Sequence, residues 1–139
     1  MPAARPTDAL ASGVRRSSPR LRELIMRGGS GRAIVSAILA AMPRRLNRAS
    51  ATGLDLVVRW QVERTPDRYL VIRDGRARVE READRDPDLT LALDRITLLD
   101  LATGGANGPQ LFMTGRVRIT GDLMLAQRLT ALFAVPGAP

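Results

Sequence analysis

The chain contains no cysteine, no histidine and no lysine. Without cysteine there is no disulfide, no thiolate metal ligand and no thiol nucleophile. Without histidine the usual general base at neutral pH, the commonest metal ligand and every Ser-His arrangement are gone. Without lysine neither a Schiff base nor a phosphate-binding P-loop lysine has a candidate. Aromatic side chains are scarce as well. Trp60, Tyr69, Phe112 and Phe133 are the whole set, too few for a stacking platform along a single-stranded nucleic acid. No apolar run is long enough to span a bilayer. The longest, Ala33 to Met42, is half of the roughly 20 residues that a spanning helix needs. The chemistry left to this inventory rests on carboxylates, Ser/Thr and Tyr69, so a protein with no catalytic residue, no metal and no cofactor is expected.

What the chain has in excess is arginine. All 22 basic residues are arginine, against 14 acids over 139 residues. The surplus is local. Residues 1–50 carry ten arginines against Asp8 and Glu23, and the remainder carries twelve against twelve. A basic segment ahead of a neutral domain points to an anionic surface, either lipid or nucleic acid. Arg15-Arg16 stands ahead of the apolar run as in a twin-arginine export signal. However, Arg20, Arg22, Glu23, Arg27 and Arg32 intervene where such a signal is uncharged, so a cytoplasmic location is the expectation.

The length suits one domain. Residues 1–20, rich in Ala, Pro, Ser and Arg without apolar period, read as a mobile tail. Leu21 to Met26 suits a short helix ended by Gly28-Gly29-Ser30-Gly31, a flexible joint in which Ser30 would cap the next helix. In that helix Ile34, Ile38 and Met42 recur every four residues, and Pro43 ends it. From Leu54 the period becomes two. Leu54, Leu56, Val58, Trp60 and Val62 face one way, Asp55, Arg59, Gln61 and Glu63 the other, which is a half-buried strand. Asp74-Gly75 between Tyr69–Arg73 and Arg76–Glu82 is a two-residue hairpin turn. Leu89, Leu91 and Leu93 alternate in a fourth strand. Asp94 caps a helix through Leu101 stopped by Gly104-Gly105, and Asn107 and Pro109 open a short helical turn. Val117 and Ile119 mark a fifth strand, and Asp122 caps a helix to about Phe133 with Pro136 beyond it. The order is a helix, four antiparallel strands, two short helices, a strand and a helix, an α+β domain with helices gathered on one face of one sheet.

The stretch Leu111-Phe112-Met113-Thr114-Gly115-Arg116-Val117-Arg118-Ile119-Thr120-Gly121-Asp122, followed by Leu123-Met124-Leu125-Ala126, resembles the closing motif of sterol carrier protein type 2 domains. There a Phe-Met-x-Gly turn leads into a basic-apolar strand, Gly-Asp and an apolar helix. Asp86-Pro87-Asp88-Leu89-Thr90-Leu91 is similar to the start of that family's fourth strand. Asp74-Gly75 stands where its hairpin turn falls, and Met42-Pro43, Leu46-Asn47 and Gly53 match its passage from first helix to first strand. The likeness runs from Ile34 to Phe133. It implies a five-stranded, mostly antiparallel sheet with helices on one face, enclosing an apolar tunnel for a sterol, fatty acid, fatty acyl-CoA or similar lipid. On this reading residues 33–135 form the lipid-binding domain of a stand-alone bacterial carrier with no reaction of its own, and residues 1–32 are a basic tail with a short helix. An alternative is an accessory module that presents a lipid-like intermediate to a partner enzyme.

Met113, Met124, Leu125, Leu129, Leu132 and Phe133 cluster near the C-terminus, and methionine adapts to variable apolar ligands. The resemblance places tunnel walls there, with Leu98, Leu101, Leu111 and Phe112 on the preceding helices and Trp60 on the first strand. Asp84, Asp86 and Asp88 have the spacing of a calcium loop. Leu89 replaces its glycine and Arg95 its closing glutamate, so a solvated connection is expected there. Arg15, Arg16, Arg20, Arg22, Arg27 and Arg32 suit anionic headgroups, each contributing up to about 1 kcal/mol, with Leu21, Leu24, Ile25 and Met26 dipping into the interface. No nucleic-acid-binding signature accompanies them, which weighs against nucleic acid. Apolar surface at a tunnel mouth would serve a homodimer as readily as a membrane.

Overall fold

The computed structural model describes residues 19–103 and 108–132. The tail read at 1–18, the helix stop at Gly104-Gly105, and Phe133 and Pro136 lie outside the described residues.

Among the described residues two helices come first, α1 (Pro19–Arg27) and α2 (Gly29–Ala41), separated by Gly28. The expected serine cap does not form. Gly28 is the N-cap, without a side-chain hydrogen bond, and Ser30 sits inside the first turn. The reason is the closeness of the two helices. A Cβ on Gly31 would collide with the Met26 carbonyl oxygen, so α2 has to begin on the glycine run itself. The joint is also tied, because the Arg95 guanidinium donates to Met26 O (2.8 Å) and Gly28 O (3.2 Å). Met26, assigned by sequence to the interface-dipping set, is therefore buried in the core at 2% exposure.

A 3-10 turn (Met42–Arg45) carries Pro43 near its start. It leads to the one-turn helix α3 (Arg48–Ala51), capped by Asn47. The sheet follows, with β1 (Leu56–Val62), β2 (Arg68–Arg73), β3 (Arg76–Glu80) and β4 (Leu89–Leu93). Helices α4 (Arg95–Thr103) and α5 (Gly108–Met113), strand β5 (Val117–Gly121) and helix α6 (Leu123–Leu132) complete the described residues. The hairpin forms as expected. Asp74 and Gly75 both take positive φ, 54° and 73°, the geometry of a turn whose twist matches its strands. Asp94 caps α4 by accepting from the Thr97 amide at 2.7 Å, and Asp122 accepts from the Met124 amide at 2.9 Å.

The strand order is β3-β2-β1-β4-β5. Three ladders are antiparallel, and β1 pairs with β4 in parallel. The sheet is thus mostly antiparallel, but the first four strands are not uniformly so. Residues 81–88 carry the chain from the β3 edge to the far side of β1, and this crossover brings β4 in with the same sense as β3 and β1, where a hairpin would have reversed it. Asp88 sets the register, donating its amide to Val57 O (2.8 Å) and accepting the Val57 amide on Oδ2 (2.9 Å).

Alternation then sorts the sheet into two faces. Leu56, Val58, Trp60 and Val62 stand beside Leu70 and Ile72 of β2 and Leu89, Leu91 and Leu93 of β4. With Val35, Leu39, Leu98, Leu111 and Leu129 from the helices they form one core. The other face bears Arg59, Arg73, Arg76, Arg78 and Arg118.

Candidate functional site

The candidate site is the inner face of the sheet and the helices over it. Trp60, Leu98, Leu111 and Leu129 are buried in the core, and Leu101 and Leu125 are partly buried against it. Phe112, Met113 and Met124 are instead exposed, at 43%, 85% and 68%. The C-terminal apolar set therefore divides between an interior wall and an outer surface. Their spacing explains the split. Leu111 is the one residue of Leu111-Phe112-Met113 that faces the sheet from a six-residue helix, and Met124 sits in the first turn of α6, ahead of the buried Leu129.

Among the described residues two polar atoms in this interior have no partner. Trp60 Nε1 and Thr97 Oγ1 are buried without a hydrogen bond. Thr97 stands just past the end of β4, at the end of the core where β1 also finishes. Arg95, two residues before Thr97, donates to Glu63 O (3.1 Å) and Arg64 O (2.5 Å), just past the strand that carries Trp60. At that end a cleft of about 180 Å³ opens between Met26 and Arg27 of α1, Glu63-Arg64, and Asp94 to Ile96.

Arg95 itself is 5% exposed, and sequence reading did not find its role. Among the described residues it makes no ion pair with a carboxylate. Its guanidinium serves the carbonyls that end α1 and β1 and the Thr65 hydroxyl (3.3 Å), a favourable place for a cation because a helix C-terminus carries partial negative charge. Its position at the head of a mostly apolar helical segment, Ile96 to Leu101, was the available signal.

Two of the three acids that mimic a calcium loop, Asp84 and Asp88, are spoken for. Arg73 donates to both carboxylate oxygens of Asp84 (3.2 and 2.9 Å), and Arg85 donates to Asp88 Oδ1 (2.9 Å). The Arg73 hydrogen bond and charge hold Asp84 below the ordinary carboxylate range. Asp88 is lowered by its bond from Arg85, against the opposing effect of burial, with the Val57 amide assisting. Among the described residues no group of three acidic side chains is placed to hold a metal ion.

Of the basic N-terminal residues, Arg20, Arg27 and Arg32 are exposed, as are Leu24 and Ile25. Arg15 and Arg16, and the side chains of Leu21, Arg22 and Leu132, lie outside the described residues. No helix among the described residues is long and apolar enough to cross a membrane.

Comparison with known proteins adds to this geometry. The model of the SCP-2 sterol transfer family matches residues 36–134. Sterol carrier protein 2 of Oryctolagus cuniculus is 33% identical over 66 residues, a match covering 48% of this chain and 12% of that protein's length. Among solved structures, sterol carrier protein 2 from Yarrowia lipolytica in its apo form superposes with a TM-score of 0.53 at 17% identity, covering 77% of this chain and 93% of that one. A stereoselective inverting sec-alkylsulfatase from Pseudomonas sp. superposes at 0.59 with 24% identity, over 66% of this chain and 15% of the enzyme.

Proposed function

The chain belongs to the SCP-2 sterol transfer family, and from that premise we propose that it is a carrier that holds a sterol, fatty acid, fatty acyl-CoA or similar apolar molecule in an internal tunnel and performs no reaction of its own. The observation that carries this reading is the family match over residues 36–134, the same residues that build the apolar inner face and most of the helices covering it. Burial of a lipid there would supply roughly 25 cal/mol per Å² before binding costs. Selectivity is then set by the length of the tunnel and the few polar groups within it. In this reading Trp60, Leu98, Leu101, Leu111, Leu125 and Leu129 contribute walls, and the exposed Phe112, Met113 and Met124 stand near the mouth. The carrier works in the cytoplasm and loads at anionic membrane surfaces through Arg20, Arg27 and Arg32, with Leu24 and Ile25 supplying apolar contact.

Native mass spectrometry of the gently purified protein, followed by organic extraction, tests the proposal. A stoichiometric lipid is expected. A clean apo mass together with no uptake of the fluorescent hydrocarbon diphenylhexatriene would overturn it.

A second reading is supported by the exposed apolar residues Phe112, Met113, Leu123 and Met124. They suit a partner enzyme to which this domain presents a lipid-like intermediate. Recovery of one stoichiometric partner, lost on substitution of Met113 and Met124 by serine, would favour it over free carriage.

A further inference from the structure

The sheet has two edges, and they are finished differently. At one edge β3 alternates charged residues along its length, Arg76, Arg78 and Glu80, and the 3-10 turn packs against it. Charge and cover both discourage further strand pairing. At the other edge β5, Val117-Arg118-Ile119-Thr120-Gly121, carries one charge.

The register shows which backbone groups that second edge presents. Asp122 donates its amide to Asp88 O at 3.5 Å, which makes Leu89 and Gly121 a pair without mutual hydrogen bonds in an antiparallel ladder. Arg118 and Thr120 therefore bond β4, opposite Ala92 and Thr90. The amides and carbonyls of Val117, Ile119 and Gly121 point the other way, off the sheet. Among the described residues nothing bonds to them. Exposed apolar residues stand beyond both ends of the strand, Phe112 and Met113 before it and Leu123 and Met124 after it.

We propose that the β5 edge is the interface between two copies of this chain, paired antiparallel about a two-fold axis at Ile119, so that the two sheets become one. Self-complementarity sets this register. Ile119 faces Ile119 of the second copy, and Val117 of each faces Gly121 of the other. All the outward groups are then used, because each such pair exchanges two hydrogen bonds. Arg118 lies opposite Thr120 of the second copy, so no like charges face each other directly. A slip of two residues would set Arg118 against Arg118 and carry Gly121 past the end of the partner strand. The antiparallel sense also accounts for the apolar residues at both ends of β5. The end that follows Phe112 and Met113 in one copy meets the end that leads into Leu123 and Met124 in the other. A parallel copy or an unrelated extended peptide has no such match in this chain. The dimer occupies residues that the partner-enzyme reading needs, and it is independent of which ligand the domain holds.

The test is residue-resolved amide exchange on the full chain at about 50 μM and about 1 mM, a range that reveals weak as well as moderate self-association. The amides of Arg118 and Thr120 are expected to be protected at both concentrations. Those of Val117, Ile119 and Gly121 should exchange freely when dilute and slow about tenfold when concentrated, as sedimentation shows the mass double. Thr120 is exposed, so its substitution leaves the fold of one copy intact. Thr120→Arg sets like charges opposite Arg118 on both sides of the axis and should weaken dimerisation about tenfold, whereas Thr120→Glu should strengthen it. A chain that stays monomeric at about 1 mM would overturn the proposal. So would a dimer whose outward amides still exchange freely or whose strength ignores both substitutions, because its interface then lies elsewhere. Protection of the outward amides in a monomer would overturn it as well, since the edge is then covered within one chain.

Discussion

The two faces of the sheet solve opposite problems with the same strands. On the outer face polar groups find one another. Arg59 meets Asp67 at 2.6 Å, Arg73 bridges Asp84 and Asp55 at 2.9 and 3.3 Å, and Arg85 joins Asp88 to Asp55 at 2.9 and 3.1 Å. On the inner face aliphatic side chains pack against helices, and the buried polar atoms that lack partners among the described residues, Trp60 Nε1 and Thr97 Oγ1, both belong to it. The contrast teaches where stability and function reside. The outer network lies in solvent, where ion pairs are worth little, and it fixes the path of residues 81–88. The inner face supplies the folding free energy and is the one place where something is left unsatisfied.

This division can be broken from its strongest side first. Leu70→Ala, at a fully buried position in the middle of β2 facing Val58 and Val79, is expected to cost about 3 kcal/mol in urea unfolding. A loss below 1 kcal/mol there would mean the inner face is not the principal source of stability. Arg95→Met comes next. Loss of the guanidinium leaves the carbonyls of Met26, Gly28, Glu63 and Arg64 unserved, at a cost of about 2–3 kcal/mol. Amide exchange should rise in α1 well before β1 and β2. Gly31→Ala forces the α1–α2 contact apart at the Met26 carbonyl and should cost about 2 kcal/mol, read as a lowered melting temperature.

The outer face should respond weakly. Arg73→Gln removes two ion pairs but is expected to change stability by less than about 1 kcal/mol. Its pH response has a defined direction. Asp84 and Asp88 lie below the ordinary aspartate value of 3.8 in the fold. Below that value the unfolded chain takes up protons that these carboxylates resist in the fold, so their stabilising contribution is full above it and fades with further acidification. The urea midpoint should hold steady from pH 7 to pH 5 and fall below pH 4, with Asp88→Asn shrinking the fall. A midpoint that rises on acidification would reverse the roles assigned to the outer carboxylates.

Much of this contrast was readable before any coordinates. The alternation from Leu54 to Val62 identified β1 and its inward side chains, because a strand places every second residue on one face. Asp74-Gly75 and Asp94 marked a turn and a cap through chemistry confined to two to four residues. The failures all involve contacts between elements. Ser30 looked like a cap until Met26 came within contact of Gly31. Met26 looked like a membrane contact until α1 folded back onto α2 and α4. The tunnel candidates separated into interior and exterior only when α5 and α6 took up their orientations on the sheet.

Local pattern determined the elements of this protein. The repeat of apolar residues, the glycines and the capping acids act within a few residues, and their consequences need no knowledge of the rest of the chain. Residues 36–134 also carry enough of a shared pattern to establish the family. What only the tertiary structure decided is how those elements meet. It set β4 parallel to β1, buried Arg95 against carbonyls 31 to 69 positions away in sequence, and left Trp60 and Thr97 without partners in a common interior. Each of these depends on which atoms lie opposite one another across the core, and hydrogen bonding and desolvation are decided there by distance in space, not by position along the chain.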